Sequence, residues 1–248
     1  MSAVVLITGA SRGIGAATAR LAARQGYAVA VNYSANSLAA DEVVRQIRQG
    51  GGSAMAVQAD VADEAQVLTM FEKVDAKLGR LTALVNNAGV VDQTSRVEAM
   101  SMARFRRMFE INVFGSFVCA REAVRRMSTR HGGVGGTIVN LSSVAARLGA
   151  PGQYVDYAAA KGAIDSFTLG LAKEVAAEGI RVNAVRPGII ETDIHASGGL
   201  PNRAREMAPQ LPMQRPGSAE EVARSILWLM GTESSYTTGT VLDVTGGR

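Results

Sequence analysis

The chain has 248 residues, 47% of them hydrophobic, one cysteine and a formal net charge of +4. That is enough apolar chain for one large domain, and it excludes a disordered, fibrous or disulfide-stapled protein. No basic segment precedes an apolar leader, and no apolar run reaches the roughly 18 to 20 residues a bilayer requires, so a soluble, cytoplasmic protein is expected.

The first β-rich run, Val4–Ile7, leads into Thr8-Gly9-Ala10-Ser11-Arg12-Gly13-Ile14-Gly15 and then a helical stretch, Ala16 to Arg24. Glycines in such a turn let the backbone approach a pyrophosphate, and the helix N-terminus behind them supplies NH groups and positive dipole. Glycines also mark ordinary tight turns. What points to a dinucleotide is the place of this turn, at the end of the first strand of a strand–helix–strand pattern.

The second run, Ala28–Val31, continues into Asn32-Tyr33-Ser34. An NAD-selecting site puts Asp or Glu here to hold the ribose hydroxyls and repel a 2′-phosphate. Tyr33 takes that place, and no acid follows until Asp41. Arg12 can pair with the phosphate while Ser34 and Asn36 donate hydrogen bonds, so NADP is the expected cofactor. A neutral pocket tolerates both cofactors, and a solvated loop cation is the plainer role for Arg12.

Further runs at Ala54–Val57, Ala83–Val85, Thr137–Leu141, Arg181–Val185 and Val241–Val244 alternate with helical patterns. Val67, Met70, Phe71, Val74 and Leu78 form one apolar stripe, and Ala160, Ile164, Phe167, Leu171 and Val175 form another. The alternation predicts an α/β fold: a doubly wound parallel sheet of about seven strands with helices on both faces, in a single domain over residues 1–248. Ligands then bind at the carboxyl ends of the strands.

Seven arginines, Arg104, Arg106, Arg107, Arg121, Arg125, Arg126 and Arg130, face only Glu110 and Glu122 over the same span. A solvated helix face or a subunit interface is the bland explanation; an acidic partner is the sharper one. Cys119 lies in an apolar stretch and fits a small buried side chain in a reduced compartment.

Tyr157 and Lys161 stand at i and i+4, hence on one helix face. A cation beside a phenol stabilises the phenolate. Bringing a tyrosine from about 10 to about 7 takes roughly 4 kcal/mol, which Lys161 and an oxidised nicotinamide would share. Tyr157 would then exchange a proton with a carbonyl or alcohol oxygen. An incidental surface pair is the alternative. The stretch from 189 to 217 holds four prolines and several glycines and is expected to be a substrate lid. Ser218 and Glu221 form a capping-box start for the next helix. The two histidines, His131 and His195, offer no metal-ligand cluster, so no metal is expected. His195 lies in the lid, as a solvated side chain or a substrate contact.

The TGxxxGxG spacing of Thr8 to Gly15, followed by Asp60-Val61, Asn86-Asn87-Ala88-Gly89, Tyr157-x-x-x-Lys161 and Pro187-Gly188, resembles the short-chain dehydrogenase/reductase family over essentially the whole chain. The resemblance implies that Asp60 and Val61 contact the adenine, and that Asn87, Ala88 and Gly89 line the cofactor. It places Pro187, Gly188, Ile190 and Thr192 around the nicotinamide carboxamide, and Tyr157 and Lys161 on its ribose. Ser143 is implied to hydrogen-bond the substrate carbonyl; Ser142, one residue away, is the competing choice. Asn112 is implied to complete the catalytic set by holding a proton-relaying water, its simpler role being to bend a helix.

The function expected is hydride transfer between NADP(H) and a carbonyl or alcohol substrate of ketone, sugar or polyol type, in a homotetramer or dimer joined through the helix after the fourth strand and the catalytic helix. Reduction of a 3-oxoacyl group on a carrier protein is the alternative within the family. Against it, Glu178 stands near the end of the catalytic helix where those reductases usually carry an arginine. A non-catalytic NADP sensor is opposed by the intact Ser143, Tyr157 and Lys161. Nucleic-acid binding rests on the pI near 9.5 alone, with no aromatics interleaving the arginines.

Overall fold

The computed structural model describes residues 3–248, except for the side chain of His195. Seven strands, β1 (Val4–Ile7), β2 (Ala28–Tyr33), β3 (Ala54–Gln58), β4 (Leu81–Asn86), β5 (Gly136–Leu141), β6 (Ile180–Pro187) and β7 (Val241–Val244), form one sheet in the order β3-β2-β1-β4-β5-β6-β7. Every pairing is parallel. The order reverses direction between β1 and β4, which opens the crevice where a doubly wound sheet binds its ligand.

The inner strands read as unbroken apolar runs because both of their faces are covered. On one side Val5, Ile7, Val29 and Val31 pack against α1 (Gly13–Arg24), α2 (Ser37–Gln49) and α10 (Ala219–Met230). On the other, Val4, Leu6 and Ile138 pack against α3 (Glu64–Leu78), α5 (Gly115–Met127) and α7 (Val155–Val175). Cys119 is fully buried on that second side, and burial pushes its thiol up to about 12, so it packs as a small apolar group.

Strands β2, β4 and β6 run beyond their apolar sequences, and the added residues Tyr33, Asn86 and Pro187 carry the chain to the ligand edge. Between α4 (Met102–Phe109) and α5 the helix loosens into a π turn, Glu110–Phe114. After β5 a short helix, α6 (Ala145–Leu148), precedes α7. The 189–217 stretch is more ordered than its prolines imply. It contains α8 (Ile194–Ser197) and α9 (Arg203–Met207), and Ile189, Ala204 and Leu211 form a small core beneath it. Its two ends are tied by hydrogen bonds between Ile189, Glu191 and Gly217, each 2.9 Å. The Ser218–Glu221 capping box that starts α10 is present in both directions.

The arginine-rich segment finds its acids far away in sequence. Arg104 pairs with Asp156, Arg121 with Glu64, Arg126 with Asp75 and Arg130 with Glu178. Three of these pairs tie α4 and α5 to α3 and α7, which sequence distance hid.

Candidate active site

The glycine turn is shaped by contacts that leave no room for side chains. Gly9 has φ +60°, and a Cβ there would lie 2.9 Å from the Ala88 Cα; one on Gly15 would lie 2.5 Å from the Asn87 amide. Asn87 holds the turn from beneath, donating through Nδ2 to the Thr8 and Gly9 carbonyls at 2.8 and 2.9 Å. The Thr8 hydroxyl accepts from the backbone of Asn87 and Ala88, and Asn32 Oδ1 accepts from the Gly9 NH at 3.1 Å. Helix α1 starts at Gly13 with no side-chain cap, unlike α2, α3, α4 and α10, so its first NH groups are left for a ligand.

A cavity of about 740 Å³ runs along the carboxyl ends of the strands, from Tyr33 and Ser34 past the glycine turn to Ser143 and Tyr157 and on to Tyr154 and Arg203. Every residue predicted to bind the cofactor lines it except Gly15, which lies one layer behind. Asn36 lines it too, but its side-chain oxygen caps α2 by accepting from the Ala39 NH. Arg12 is exposed at the cavity edge, 3.4 Å from the Ser197 hydroxyl in the 189–217 segment. Asp60 is exposed, accepting from the Ala62 NH, and Val61 packs on Gly115.

Helix α7 begins at Val155, so Tyr157 and Lys161 lie in its first two turns, pointing into the cavity. The two serines at the end of β5 part company. Ser142 is buried and donates to the Lys161 carbonyl at 3.3 Å. Ser143 faces the cavity, where it lowers the proton affinity of the neighbouring Tyr157 phenol, and accepts from the Ala145 NH at 3.1 Å.

Lys161 donates to the Leu141 carbonyl at 2.7 Å, and its ammonium lies 5.6 Å from the Tyr157 ring centre. It makes no hydrogen bond to the phenol. Burial pushes the Tyr157 phenol up to about 12, with Ser143 working in the opposite direction. Burial likewise pulls Lys161 down to about 8, partly offset by Asp165. The expected depression of the phenol is thus not a property of this Tyr–Lys pair by itself, because desolvation outweighs an ammonium that is directed at a carbonyl.

Asn112 sits in the π turn, fully buried. Its Nδ2 donates to the Val90 and Met108 carbonyls, both at 3.0 Å, and its Oδ1 accepts from the Val90 NH. It therefore does not line the cavity. Gly89 brings the two elements together: a Cβ there would meet Asn112 Oδ1 at 2.8 Å and Lys161 Nζ at 3.5 Å. Asn86 and Asn140 extend the polar seam, from the Ser116 carbonyl through Asn86, Asn140 and Thr168, joining β4, β5 and α7.

Sequence reading missed Asn32, Gln153, Tyr154, Arg203 and Arg248 at this cavity. Tyr154 had a signal, one helical turn before Tyr157. Arg203 and Arg248 had none. The side chain of His195 lies outside the described residues, and His131 is exposed. Among the described residues no His, Cys, Asp and Glu cluster could hold a metal ion, and no helix is long and apolar enough to cross a membrane.

A doubly wound parallel sheet with a glycine turn on β1 and a Ser–Tyr–Lys cluster at β5 and α7 defines a nicotinamide-dependent dehydrogenase or reductase. Residues 9–248 match a family profile described as enoyl-(acyl carrier protein) reductase. The chain is 55% identical over 246 residues to the uncharacterized oxidoreductase YgfF of Escherichia coli (strain K12), covering 99% of this chain and all of that protein. It is 40% identical to a 3-oxoacyl-[acyl-carrier-protein] reductase of Synechocystis sp., covering 98% and 96% of the two chains. A solved short-chain dehydrogenase/reductase from Serratia marcescens BCRC 10948 superposes with a TM-score of 0.90 at 33% identity, over 99% of this chain and 97% of that one. The chain belongs to the short-chain dehydrogenase/reductase family and is an oxidoreductase acting on CH–OH groups.

Proposed function

We propose that the protein is a cytoplasmic, NADP(H)-dependent reductase or dehydrogenase of a small ketone, sugar or polyol. The observation that carries this is the meeting of Ser143, Tyr157 and Lys161 in the same cavity as the glycine turn. The cavity fits a dinucleotide: the uncapped start of α1 at Gly13 leaves backbone NH groups for a pyrophosphate, and Gly9 keeps the turn clear of a side chain. At the end of β2, Tyr33, Ser34 and Asn36 line it without a carboxylate, and Arg12 stands nearby for a 2′-phosphate.

The bound nicotinamide supplies or accepts the hydride. Ser143 donates to the substrate oxygen and orients it against Tyr157. The phenol, kept protonated by burial, gives its proton to the oxygen as negative charge develops there. Lys161 holds the nicotinamide ribose, and its low proton affinity suits it to pass a proton on to Tyr157. Asn112, with its side chain committed to Val90, acts through the backbone of the π turn to hold a water beside Lys161. The 189–217 segment closes over the substrate.

A homotetramer is supported by Phe114, Phe117 and Leu169, large apolar side chains exposed on or beside α5 and α7. Reduction of carrier-protein thioesters is the second reading, favoured by the Synechocystis relative. At the end of α7, however, Glu178 accepts from Arg130 and the Ser128 hydroxyl, so an acid stands there and the nearby Arg130 is already paired.

Fluorescence titration with NADPH and NADH, followed by a screen of ketones, sugars and acyl thioesters with wild type and Tyr157→Phe, tests the proposal. NADPH should bind tighter, and turnover should need Tyr157. Failure to bind either cofactor would overturn it.

A further inference from the structure

Beyond Tyr157 the cavity ends in two guanidiniums that pair with no carboxylate side chain among the described residues. Arg203 on α9 and Arg248 both line it and are only partly exposed. Each is held in place by neutral partners. Arg203 donates to Gln153 Oε1 at 2.6 Å and lies 5.3 Å above the Tyr154 ring, and Arg248 donates to Met207 Sδ at 3.8 Å. Among the described residues neither has a carboxylate partner, whereas Arg205, on the same helix as Arg203, pairs with Glu191. Two like charges half-buried together and paired directly with no carboxylate side chain are eased by a ligand that brings an anion between them. Consistently, burial and the charge of Arg203 both pull the Arg248 guanidinium below the ordinary arginine range.

The pair cannot serve the cofactor's 2′-phosphate, because that belongs at Tyr33 and Ser34, at the opposite end of the cavity. It flanks the reacting end instead. Tyr154 bridges the two, its ring 6.1 Å from that of Tyr157 in an edge-to-face arrangement and beneath the Arg203 guanidinium. A substrate whose oxygen reaches Ser143 and Tyr157 would thus lay its carbon chain along Tyr154 and end at the arginines.

We infer that Arg203 and Arg248 form an oxyanion subsite, and that the natural substrate is a carbonyl or hydroxy compound carrying a carboxylate or phosphate a short chain away from the reacting carbon. Planar guanidinium forks are matched to both anions. The inference rests on reading this cavity as the substrate site.

The test is a set of matched pairs. The keto acids 4-oxopentanoate, 5-oxohexanoate and 6-oxoheptanoate are compared with their methyl esters, and dihydroxyacetone phosphate with dihydroxyacetone. Each pair is run with NADPH on wild type, Arg203→Gln, Arg248→Gln, the double variant and Arg203→Lys. In wild type the anionic member of at least one pair should be preferred in kcat/KM by about tenfold or more, mainly through KM. That ratio should fall toward one in the double variant and largely survive in Arg203→Lys. The pair showing the preference identifies the anion. Equal rates for all pairs, or a preference that survives the double variant, would overturn the subsite while leaving the reductase reading intact.

Calorimetric titration with hexanoate, which has no carbonyl to reduce, separates the two claims. If nothing turns over but hexanoate binds wild type and not the double variant, the subsite stands and the reductase reading falls. If nothing turns over and hexanoate does not bind, the subsite falls as well.

Discussion

The Lys161 ammonium is hydrogen-bonded to the carbonyl oxygen of Leu141, the last residue of β5, at 2.7 Å. This lysine of α7 is therefore fastened to the sheet edge immediately before Ser142 and Ser143. The fastening fixes where the cation lies, and burial sets how tightly it holds its proton.

That burial predicts a pH dependence of stability. Lys161 falls from its ordinary value of 10.5 to about 8. Between those values the unfolded chain binds the proton that the folded chain has released, so stability from this group rises with pH over that window, by up to about 3 kcal/mol. Tyr157, pushed up to about 12, opposes the rise only above about 10. Urea midpoints of the cofactor-free protein at pH 7.5, 8.5 and 9.5 should climb more in wild type than in Lys161→Met. Parallel curves for the two proteins would contradict it.

The two serines should separate cleanly. Ser143→Ala is expected to lower kcat by about 100-fold with little change in cofactor affinity, since it removes the donor facing Tyr157. Ser142→Ala should cost about 1 kcal/mol of stability from its buried bond to the Lys161 carbonyl and leave kcat within a few-fold. Steady-state kinetics and denaturation of both variants decide this, and the reverse pattern would reassign the donor.

Cofactor choice is predicted to turn on the end of β2. Tyr33→Asp should weaken NADPH relative to NADH by about tenfold or more, by setting a carboxylate against the 2′-phosphate. Arg12→Ala should weaken NADPH with little effect on NADH. Paired titrations with the two cofactors measure both, and equal losses for NADPH and NADH would place Arg12 outside phosphate recognition.

The Arg104–Asp156 pair supports the catalytic helix next to Tyr157. Both Asp156 oxygens accept from Arg104, at 2.8 and 3.1 Å, and the aspartate side chain is fully buried. Asp156→Ala strands a nearly buried guanidinium and should cost roughly 3 to 5 kcal/mol. Replacing both residues, Arg104→Met with Asp156→Leu, should restore much of that loss. A double variant as unstable as the single one would show that the pair is not the cause.

Several features were readable from the chain because they are local. Seven apolar runs alternating with helical stripes predicted a parallel sheet, since only strands covered on both faces lack alternation. The glycine spacing from Gly9 to Gly15 marked the ligand turn, because a Cβ at Gly9 or Gly15 collides with the backbone or Asn87. The i, i+4 placement of Tyr157 and Lys161 put them on one face through helix geometry alone.

Tertiary structure decided what depends on distance rather than spacing. Ser142 reaches the Lys161 carbonyl while Ser143 stands beside the phenol, because β5 delivers successive side chains in different directions. Lys161 points at Leu141 and not at the phenol because the strand end lies within its reach. The partners of the arginine run, Asp156, Glu64, Asp75 and Glu178, come from other helices. Arg203 and Arg248, 45 positions apart in the chain, share one cavity only after the 189–217 segment and the C-terminal residues have packed together. Sequence records which groups are available and which neighbours a helix or turn imposes. Burial, and the meeting of charges from remote segments, exist only once the chain has packed.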